Sequence, residues 1–223
     1  EQTPEVSPYA YCAADPVNYI DPTGEDTWQL NENGIVIKRI ATTEYDAFQI
    51  VNGSGEIANS IQFDYGTINA STEISKDGTS YDVYRLNENG TALFEFLSEN
   101  TSVEWSNVKL ENADKKELDM VISSHEHSQE SGVVDVLNYH IPDAHKIKSV
   151  THSHPNNLSY PSGLGENKDD IKFAAETLSK FKQPIVFYIY TPLTGLYFKY
   201  NPESKITEFP TNTLPGVTCT HKR

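Results

Sequence analysis

Short runs of apolar residues along the chain predict β-strands, and two longer segments have the apolar spacing of helices. The predicted strands cover 35–40, 48–51, 103–110, 118–122, 133–139, 147–150, 185–190 and 196–200. In the segment that begins at Asp169, apolar residues recur at helical spacing: Ile171, Ala174, Ala175, Leu178 and Phe181. A second helix is predicted at 91–99. Strands interleaved with helices predict an α+β domain, in which a mixed β-sheet is flanked by at least two helices.

The pentapeptide LNENG occurs twice, at 30–34 and at 86–90. The pair Asn-Gly favours the tight turn of a β-hairpin, because both residues tolerate a positive φ. We therefore predict a hairpin turn at each copy. Residues 53–80 are polar and rich in Gly, Ser and Thr, which indicates loops joined by short strands.

The first 26 residues differ from the rest of the chain. They hold four prolines, which disfavour a helix or a central strand and favour an extended tail: Pro4, Pro8, Pro16 and Pro22. We divide the chain into a tail at 1–26, a folded domain at 27–210 and a C-terminal tail at 211–223. Within the domain, 27–90 is a candidate β-rich extension.

Composition narrows the class of protein. The chain has 223 residues and a formal net charge of −15, and its 13 Tyr and 9 Phe are enough for a large core. A surface this negative repels phosphate backbones and anionic lipids, so nucleic acid and membranes are disfavoured as partners. We also expect no membrane span and no signal peptide, because long apolar runs and a basic N-terminus are missing from the sequence.

The segment His152-Ser153-His154-Pro155 is the strongest candidate for chemistry. Side chains two residues apart on a strand point to the same face, so both imidazoles can reach one ion. Catalytic zinc is commonly bound by imidazoles and a carboxylate, with one position left for water. Asp169 or Asp170, at the start of the next helix, can supply the carboxylate.

The same segment resembles the JAMM motif of the JAB/MPN metalloproteases. That motif has two histidines one residue apart, then Pro, six residues, Ser, and an Asp that opens a helix. His152, His154, Pro155 and Ser162 match its spacing, whereas Asp170 lies five residues farther from the Ser than the motif has it. The resemblance implies the cytidine-deaminase-like fold of that family. It also implies Zn2+ held by His152, His154 and Asp170. We prefer Asp170 to Asp169 because the residues that follow Asp170 look like the family's helix start.

The family also has an upstream Glu on a strand just after its first helix. Glu104 follows the predicted helix 91–99 and lies 48 residues before His152, so we assign it this role; Glu126 and Glu130 stay as alternatives. By resemblance, zinc lowers the pKa of its water to about 7. Glu104 then carries the water proton to the leaving amine, and Ser162 stabilises the oxyanion.

A second His-x-His sequence, His125-Glu126-His127, lacks the proline, the spaced serine and the helix-opening acid of the first. It lies in a polar segment rich in Ser and Gln. We therefore predict a solvated loop there.

The segment at residues 7–26 resembles the closing segment of RHS repeat-associated core proteins. Its sequence, starting at Ser7, is SPYAYCAADPVNYIDPTGED. In that family a variable C-terminal domain follows this segment and is usually a toxin, which often travels with an immunity protein. The resemblance implies that this chain ends a larger bacterial protein that is secreted or delivered into a target cell.

Together the two resemblances imply a toxin that is a zinc peptidase or isopeptidase and acts on a protein or peptide. Two other functions stay open. One is a JAB/MPN-like module that binds a partner without metal. The other is a metal-dependent nuclease toxin, against which the negative charge argues.

Overall fold

The computed structural model describes residues 26–87, 89–142, 144–162, 169–203 and 211, with the side chain of residue 169 left out. The predicted N-terminal tail except Asp26, and the predicted C-terminal tail except Thr211, therefore lie outside the described residues. The domain boundaries at 26 and 210 stay predictions. Among the described residues, no helix combines the length and the apolar character needed to cross a bilayer.

Two β-sheets make up most of the fold. The smaller one contains β1 (Asp26–Leu30), β2 (Val36–Ala41), β3 (Tyr45–Val51) and β4 (Ile57–Asp64). The larger one contains β5 (Ile68–Ile74), β6 (Ser80–Leu86), β7 (Ser106–Glu111), β8 (Glu117–Ser123), β9 (Lys146–Ser153), β10 (Val186–Thr191) and β11 (Leu196–Tyr200). Their orders are β2-β1-β3-β4 and β11-β10-β9-β7-β8-β6-β5. Both sheets are mixed, because β1 runs parallel to β3 and β9 runs parallel to β10 while the other pairs are antiparallel.

Helices cover both faces of the larger sheet. They are α1 (Gly90–Asn100), α2 (Gly132–Asp135), which continues into a π-helical segment (Val136–His140), and α3 (Asp169–Phe181). One apolar cluster joins α1 and the smaller sheet to one face, through residues such as Phe94, Phe48 and Tyr84. Another joins α2 and α3 to the opposite face, through residues such as Val136, Ile171 and Val150. The arrangement confirms the predicted α+β class.

Several predicted elements are confirmed and others are wrong. The helix at 91–99 and the helix that begins at Asp169 are α1 and α3, and the turn at 30–34 joins β1 to β2. The polar region 53–80 was predicted as loops with short strands, but it contains two strands of eight and seven residues, β4 and β5. Their polar side chains fit strands that leave many residues exposed to solvent.

The strand predicted at 133–139 is wrong, because this segment is helical. Both oxygens of the Glu130 carboxylate accept backbone N–H groups at the start of α2, from Gly132 at 2.9 Å and from Val133 at 2.9 Å. Val133, Val136 and Leu137 are all buried, at the i, i+3 and i+4 positions of a helix. Capping and tertiary packing therefore overcome the strand preference of the valines.

The second LNENG copy, at 86–90, was predicted as a hairpin turn and is not one. It leads into a helix, because Asn89 has a φ of 66° and α1 begins at Gly90. The backbone N–H of Gly90 donates to the Asp119 carboxylate. Leu93 N–H donates to Asn89 O at 3.0 Å, which closes the first helical turn.

Candidate metal centre

The two histidines of the His-Ser-His segment lie together at the end of β9. His152 is the penultimate residue of the strand and pairs with Ser106 of β7 and with Ile189 of β10. His154 follows the strand directly, and its backbone N–H donates to Tyr190 O at 2.8 Å. Both rings point to the same side, with 2.9 Å between their Nε2 atoms. Both residues are buried, with 8% and 6% of their surface exposed.

The carboxylate of Asp170 completes a three-residue cluster. Its Oδ1 lies 3.3 Å from His152 Nε2 and its Oδ2 lies 3.6 Å from His154 Nε2. One ligand atom from each of the three residues lies within 4.8 Å of the others. The structure therefore brings together the three residues that the sequence predicts as ligands. The side chain of Asp169, the alternative, lies outside the described residues.

Ser162 explains why the longer loop does not displace Asp170. The backbone N–H of Ser162 donates to Asp170 Oδ2 at 2.6 Å, and the backbone N–H of Asp170 donates to Ser162 Oγ at 3.3 Å. These two bonds fix the first turn of α3 against the end of the chain segment that follows β9. The longer spacing in sequence between Ser162 and Asp170 is therefore compatible with a carboxylate at the site.

The hydrogen bonds of His154 suit a metal ligand. Its Nδ1 lies 2.8 Å from Leu158 O, and a carbonyl oxygen can only accept, so Nδ1 carries the proton. In the neutral ring, Nε2 then keeps a lone pair aimed at His152 and Asp170. A backbone carbonyl on the far nitrogen is a common partner of metal-bound histidines, because it fixes the tautomer and the ring orientation. Two imidazoles and one carboxylate are a donor set that zinc accepts.

Ser153, between the two histidines, is joined to the segment that carries Glu104. Its backbone N–H donates to Trp105 O at 2.8 Å, and the Trp105 backbone N–H donates to Ser153 Oγ at 3.0 Å. Glu104 N–H donates to Glu126 O at 2.8 Å, and the Ser123 hydroxyl donates to Glu104 O at 2.9 Å. Glu104 was predicted to open a strand, but β7 begins two residues later, at Ser106. The backbone of Glu104 is nevertheless tightly fixed beside β9.

The Glu104 side chain is buried next to the cluster. Burial raises its pKa to about 8, with His152 opposing the shift and Asp170 and Glu130 adding to it. Glu104 lines the same cavity as His152 and Asp170. In the metal-free protein, burial therefore favours the protonated form of Glu104. A divalent cation at the cluster would lower that pKa by Coulomb attraction.

The His152 and Asp170 side chains stabilise each other's charged forms. Burial lowers the pKa of His152, but the Asp170, Glu104 and Glu130 carboxylates outweigh burial and leave that pKa above its usual value. Burial raises the pKa of Asp170, but the two histidines and the Ser162 N–H outweigh it and hold that pKa well below its usual value. Asp170 is therefore ionised at neutral pH, as a metal ligand must be.

The metal-free Glu104→Gln variant is expected to gain stability over the wild type as the pH rises. Between pH 4.5 and about 8 the native state keeps the Glu104 proton that the unfolded state releases, so wild-type stability falls with rising pH. Gln has no proton to lose. The free energy of unfolding of the variant minus that of the wild type should grow by up to about 4 kcal/mol between about pH 5 and about pH 9. Denaturant unfolding in the presence of a chelator measures it.

The matched control is Glu126→Gln, whose side chain is exposed to solvent. The growth of the difference with pH in Glu104→Gln should exceed that in this control. If Glu104→Gln behaves like this control, Glu104 does not bind its proton more tightly in the native state.

Glu130 is a site residue whose environment the sequence did not reveal. Its polar surroundings suggest a solvated carboxylate, yet it is only 9% exposed. Burial raises its pKa, and the N–H groups of Val133 and Gly132 partly offset that shift. It lines the same cavity as Glu104. An acid just before a helical segment is a capping signal, but it is recognisable only if 132–140 is predicted as a helix.

The second His-x-His sequence does not form a metal site with the described acids. His127 is exposed, as predicted. His125 lies in the predicted loop but is partly buried, because its Nε2 lies 3.3 Å from Asp82 Oδ2 and its side chain is 18% exposed. Its ring also meets Trp105 edge to face. His125 therefore contributes to packing.

A cavity of about 670 Å3 opens beside the cluster. Its polar end contains Glu104, Glu130, His152, His154, Ser162 and Asp170. Away from these residues it runs between α2 and α3, where its lining includes Val133, Leu137, Val150, Phe173 and Phe181. Val134, Leu158 and Tyr160 also line it and are unusually exposed for apolar residues, at 45%, 40% and 47%. Such a lining suits an apolar group held next to a polar reaction centre.

Residues 83–175 match the family model for JAB-like toxin 1. The match supports a JAB-like toxin domain in this part of the chain. To that extent it confirms the resemblance to the JAB/MPN family that the sequence indicated. It runs from β6 into α3 and contains Glu104, both histidines of the cluster, Ser162 and Asp170. It covers less than half of the chain and leaves out the smaller sheet. No curated protein and no solved structure matches the chain.

Proposed function

We propose that the domain is a zinc-dependent peptidase or isopeptidase, in which His152, His154 and Asp170 hold the ion. The observation that carries this proposal is the convergence of two buried imidazoles and an ionised carboxylate on one point, beside Glu104. Zinc held by such a set makes its coordinated water acidic enough to react at neutral pH. The fit of the donor set and the family match to a JAB-like toxin support the same function.

Glu104 is the proton carrier of the proposed reaction. Its carboxylate accepts a proton from the attacking water and returns it to the leaving amine as the C–N bond breaks. Its burial favours the neutral form and the neighbouring positive charge favours the ionised form, so the pKa lies between those of a free carboxylate and an amine. A group poised in this way can both take and give a proton near neutral pH.

Ser162 has two roles in the proposal. Its Oγ accepts the Asp170 N–H, which positions a metal ligand. The hydroxyl proton is still available to donate, and we assign it to the oxyanion that develops on the substrate carbonyl. His154 and His152 are held by β9 and its hydrogen bonds, so they need little rearrangement when the ion binds.

The substrate in this proposal is a peptide or protein with a bulky apolar side chain close to the scissile amide. The cavity that adjoins the cluster is lined by apolar side chains such as Leu137 of the π-helical segment and Phe173 of α3. Lys172 and Lys180 are the cationic residues in its lining, with Glu176 between them on the same helix. This charge pattern gives no strong preference for an anionic substrate. It suits an uncharged peptide more than a phosphate backbone.

The biological setting is proposed from the sequence and from the family match. A JAB-like toxin domain suggests delivery into a target cell. We propose that the domain travels as the C-terminal toxin of a larger RHS repeat-associated core protein, on the basis of the resemblance at residues 7–26. A cognate immunity protein would then protect the producing cell, and the open cavity beside the cluster offers it a place to block.

Incubation with a mixed peptide library tests the function. The zinc-loaded chain is expected to generate new N-termini, to prefer bulky apolar residues on one side of the cleaved bond, and to lose this activity when a chelator removes the ion. Readdition of zinc should restore cleavage. Zinc binding without cleavage would support the rival function, a metal-binding interaction module. No zinc binding at all would overturn the proposal.

A further inference from the structure

The segment that carries Glu104, residues 101–105, is held on one side by a turn of the smaller sheet. This β1–β2 turn spans Asn31–Gly34. The backbone N–H of Ser102 donates to Glu32 O at 2.8 Å. The Ser102 hydroxyl lies 3.0 Å from the same oxygen and 3.1 Å from Asn33 Oδ1. The two segments are therefore joined by hydrogen bonds although they lie about 70 residues apart in the chain.

Gly34 brings the turn into contact with both neighbours of Glu104. A Cβ at this position would lie 2.9 Å from Trp105 Cζ2 and 3.1 Å from Val103 Cγ2. Trp105 is 0% exposed and Val103 is 1% exposed, so neither can move aside easily. Gly34 also has a φ of +71°, which L side chains rarely adopt. The turn thus packs directly against the residues before and after Glu104.

The turn is itself well defined. Asn31 Oδ1 accepts the backbone N–H groups of Asn33 and Ile35, both at 3.0 Å. The backbone N–H of Gly34 donates to Asn31 O at 2.9 Å. The turn is short and joins two paired strands, so its backbone has little freedom to move away from the 101–105 segment.

On its other side, the 101–105 segment is joined to the metal-binding strand. Trp105 and Ser153 exchange two hydrogen bonds, at 2.8 and 3.0 Å. The segment therefore lies between the β1–β2 turn and the strand end that carries both histidines. Close-packed interiors transmit small displacements, so a shift at the turn changes where Glu104 lies relative to the cluster.

We infer that the β1–β2 turn is a positioning element for Glu104, so that the catalytic unit includes the smaller sheet, which the family match at 83–175 leaves out. The inference rests on the proposed function for the role of Glu104 as proton carrier. Gly34 and Ser102 act through the 101–105 backbone and touch neither the substrate nor the ion.

The Gly34→Ala variant tests this inference, with Gly55→Ala as its matched control. Gly55 lies in the same sheet, closes the β3–β4 hairpin with the same Asn-x-x-Gly hydrogen bonds, and has a φ of +84°. A Cβ at Gly55 would meet nothing within 4 Å, so it carries the backbone strain without the contact. On the peptide that the library identifies, kcat of Gly34→Ala should fall at least about 10-fold, with KM and zinc content unchanged. Gly55→Ala should match the wild type.

Amide hydrogen exchange of the metal-free protein provides a measurement that does not depend on activity. The amides of Ser102 and Glu104 should exchange faster in Gly34→Ala and at the wild-type rate in Gly55→Ala. If Gly34→Ala does not fold, Ser102→Ala replaces it. That variant removes only the hydroxyl contacts, and it should lower kcat in the same direction by a smaller factor.

Equal kcat values and equal exchange rates in the turn variants and the control would overturn the inference while leaving the proposed function intact. A wild type that neither binds zinc nor cleaves peptides would overturn the proposed function. In that case the exchange rates would still decide whether the turn holds the 101–105 segment.

Discussion

His154→Ala is expected to abolish both zinc binding and hydrolysis. The substitution removes one of the three proposed ligands and would leave the ion with His152 and Asp170. Loss of outer partners of metal ligands already costs about 10–100-fold in affinity, so loss of a ligand should cost more than about 100-fold. The zinc content of dialysed protein, measured by atomic absorption, should fall to background. Cleavage of the library peptide should fall with it.

The control for this variant is His127→Ala, which removes an exposed histidine from the second His-x-His sequence. It should keep the zinc content and the activity of the wild type. Equal zinc content in wild type and His154→Ala would remove the catalytic interpretation altogether, because the ion would then bind elsewhere.

Glu104→Gln is expected to keep the ion and lose hydrolysis. Gln is nearly the same size and shape, so the buried site and its three ligands should stay in place. It cannot accept a proton from water, and the loss of such a group typically lowers the rate by about 10²–10⁴-fold. We therefore expect kcat to fall by that factor while zinc content and KM stay close to the wild-type values. Metal analysis and steady-state kinetics on the same sample measure both.

Two other carboxylates decide how a different result would be explained. Glu126→Gln alters an exposed side chain and should retain full activity. Glu130 lines the cavity, but its two oxygens already accept the N–H groups of Gly132 and Val133. Full activity in Glu104→Gln would contradict the assignment and make Glu130 the stronger candidate for the base.

The proximity of His152, His154 and Asp170 could be predicted because it depends on local rules. Alternation along a strand puts His152 and His154 on one face, and an acid at the start of a helix needs only a short connection to reach them. The family motif then indicated which residues to compare. The extra residues before Asp170 were a departure from that motif, and the bonds between Ser162 and Asp170 show how the geometry tolerates them.

The rest of the site depends on contacts between distant segments, which a single sequence does not reveal. Glu130 is buried because 132–140 folds as a helix over the larger sheet, and that helix was mistaken for a strand on the strength of its valines. The β1–β2 turn reaches the 101–105 segment across the fold. No spacing pattern in the sequence connects these two segments.

The pentapeptide LNENG also shows that local sequence alone does not determine the structure of a segment. Its first copy forms a turn between two strands, whereas its second copy leads into α1. The difference comes from the surroundings: the apolar run that follows the second copy has a helical period, and the Asp119 carboxylate accepts the N–H of Gly90. Identical local sequence therefore gives two structures, because tertiary contacts decide between them.

The backbone around Ser153 has a consequence for how the proposed zinc ion would be exchanged. Main-chain hydrogen bonds from Ser153 to Trp105 and from His154 to Tyr190 set the spacing of the two imidazoles, and these bonds do not involve the ring nitrogens. Removal of the ion should therefore leave the geometry of the binding site nearly unchanged. Small zinc domains, in contrast, unfold when their zinc is removed. Repeated cycles of stripping and reloading should then proceed without refolding, and different divalent ions can be compared on one preparation.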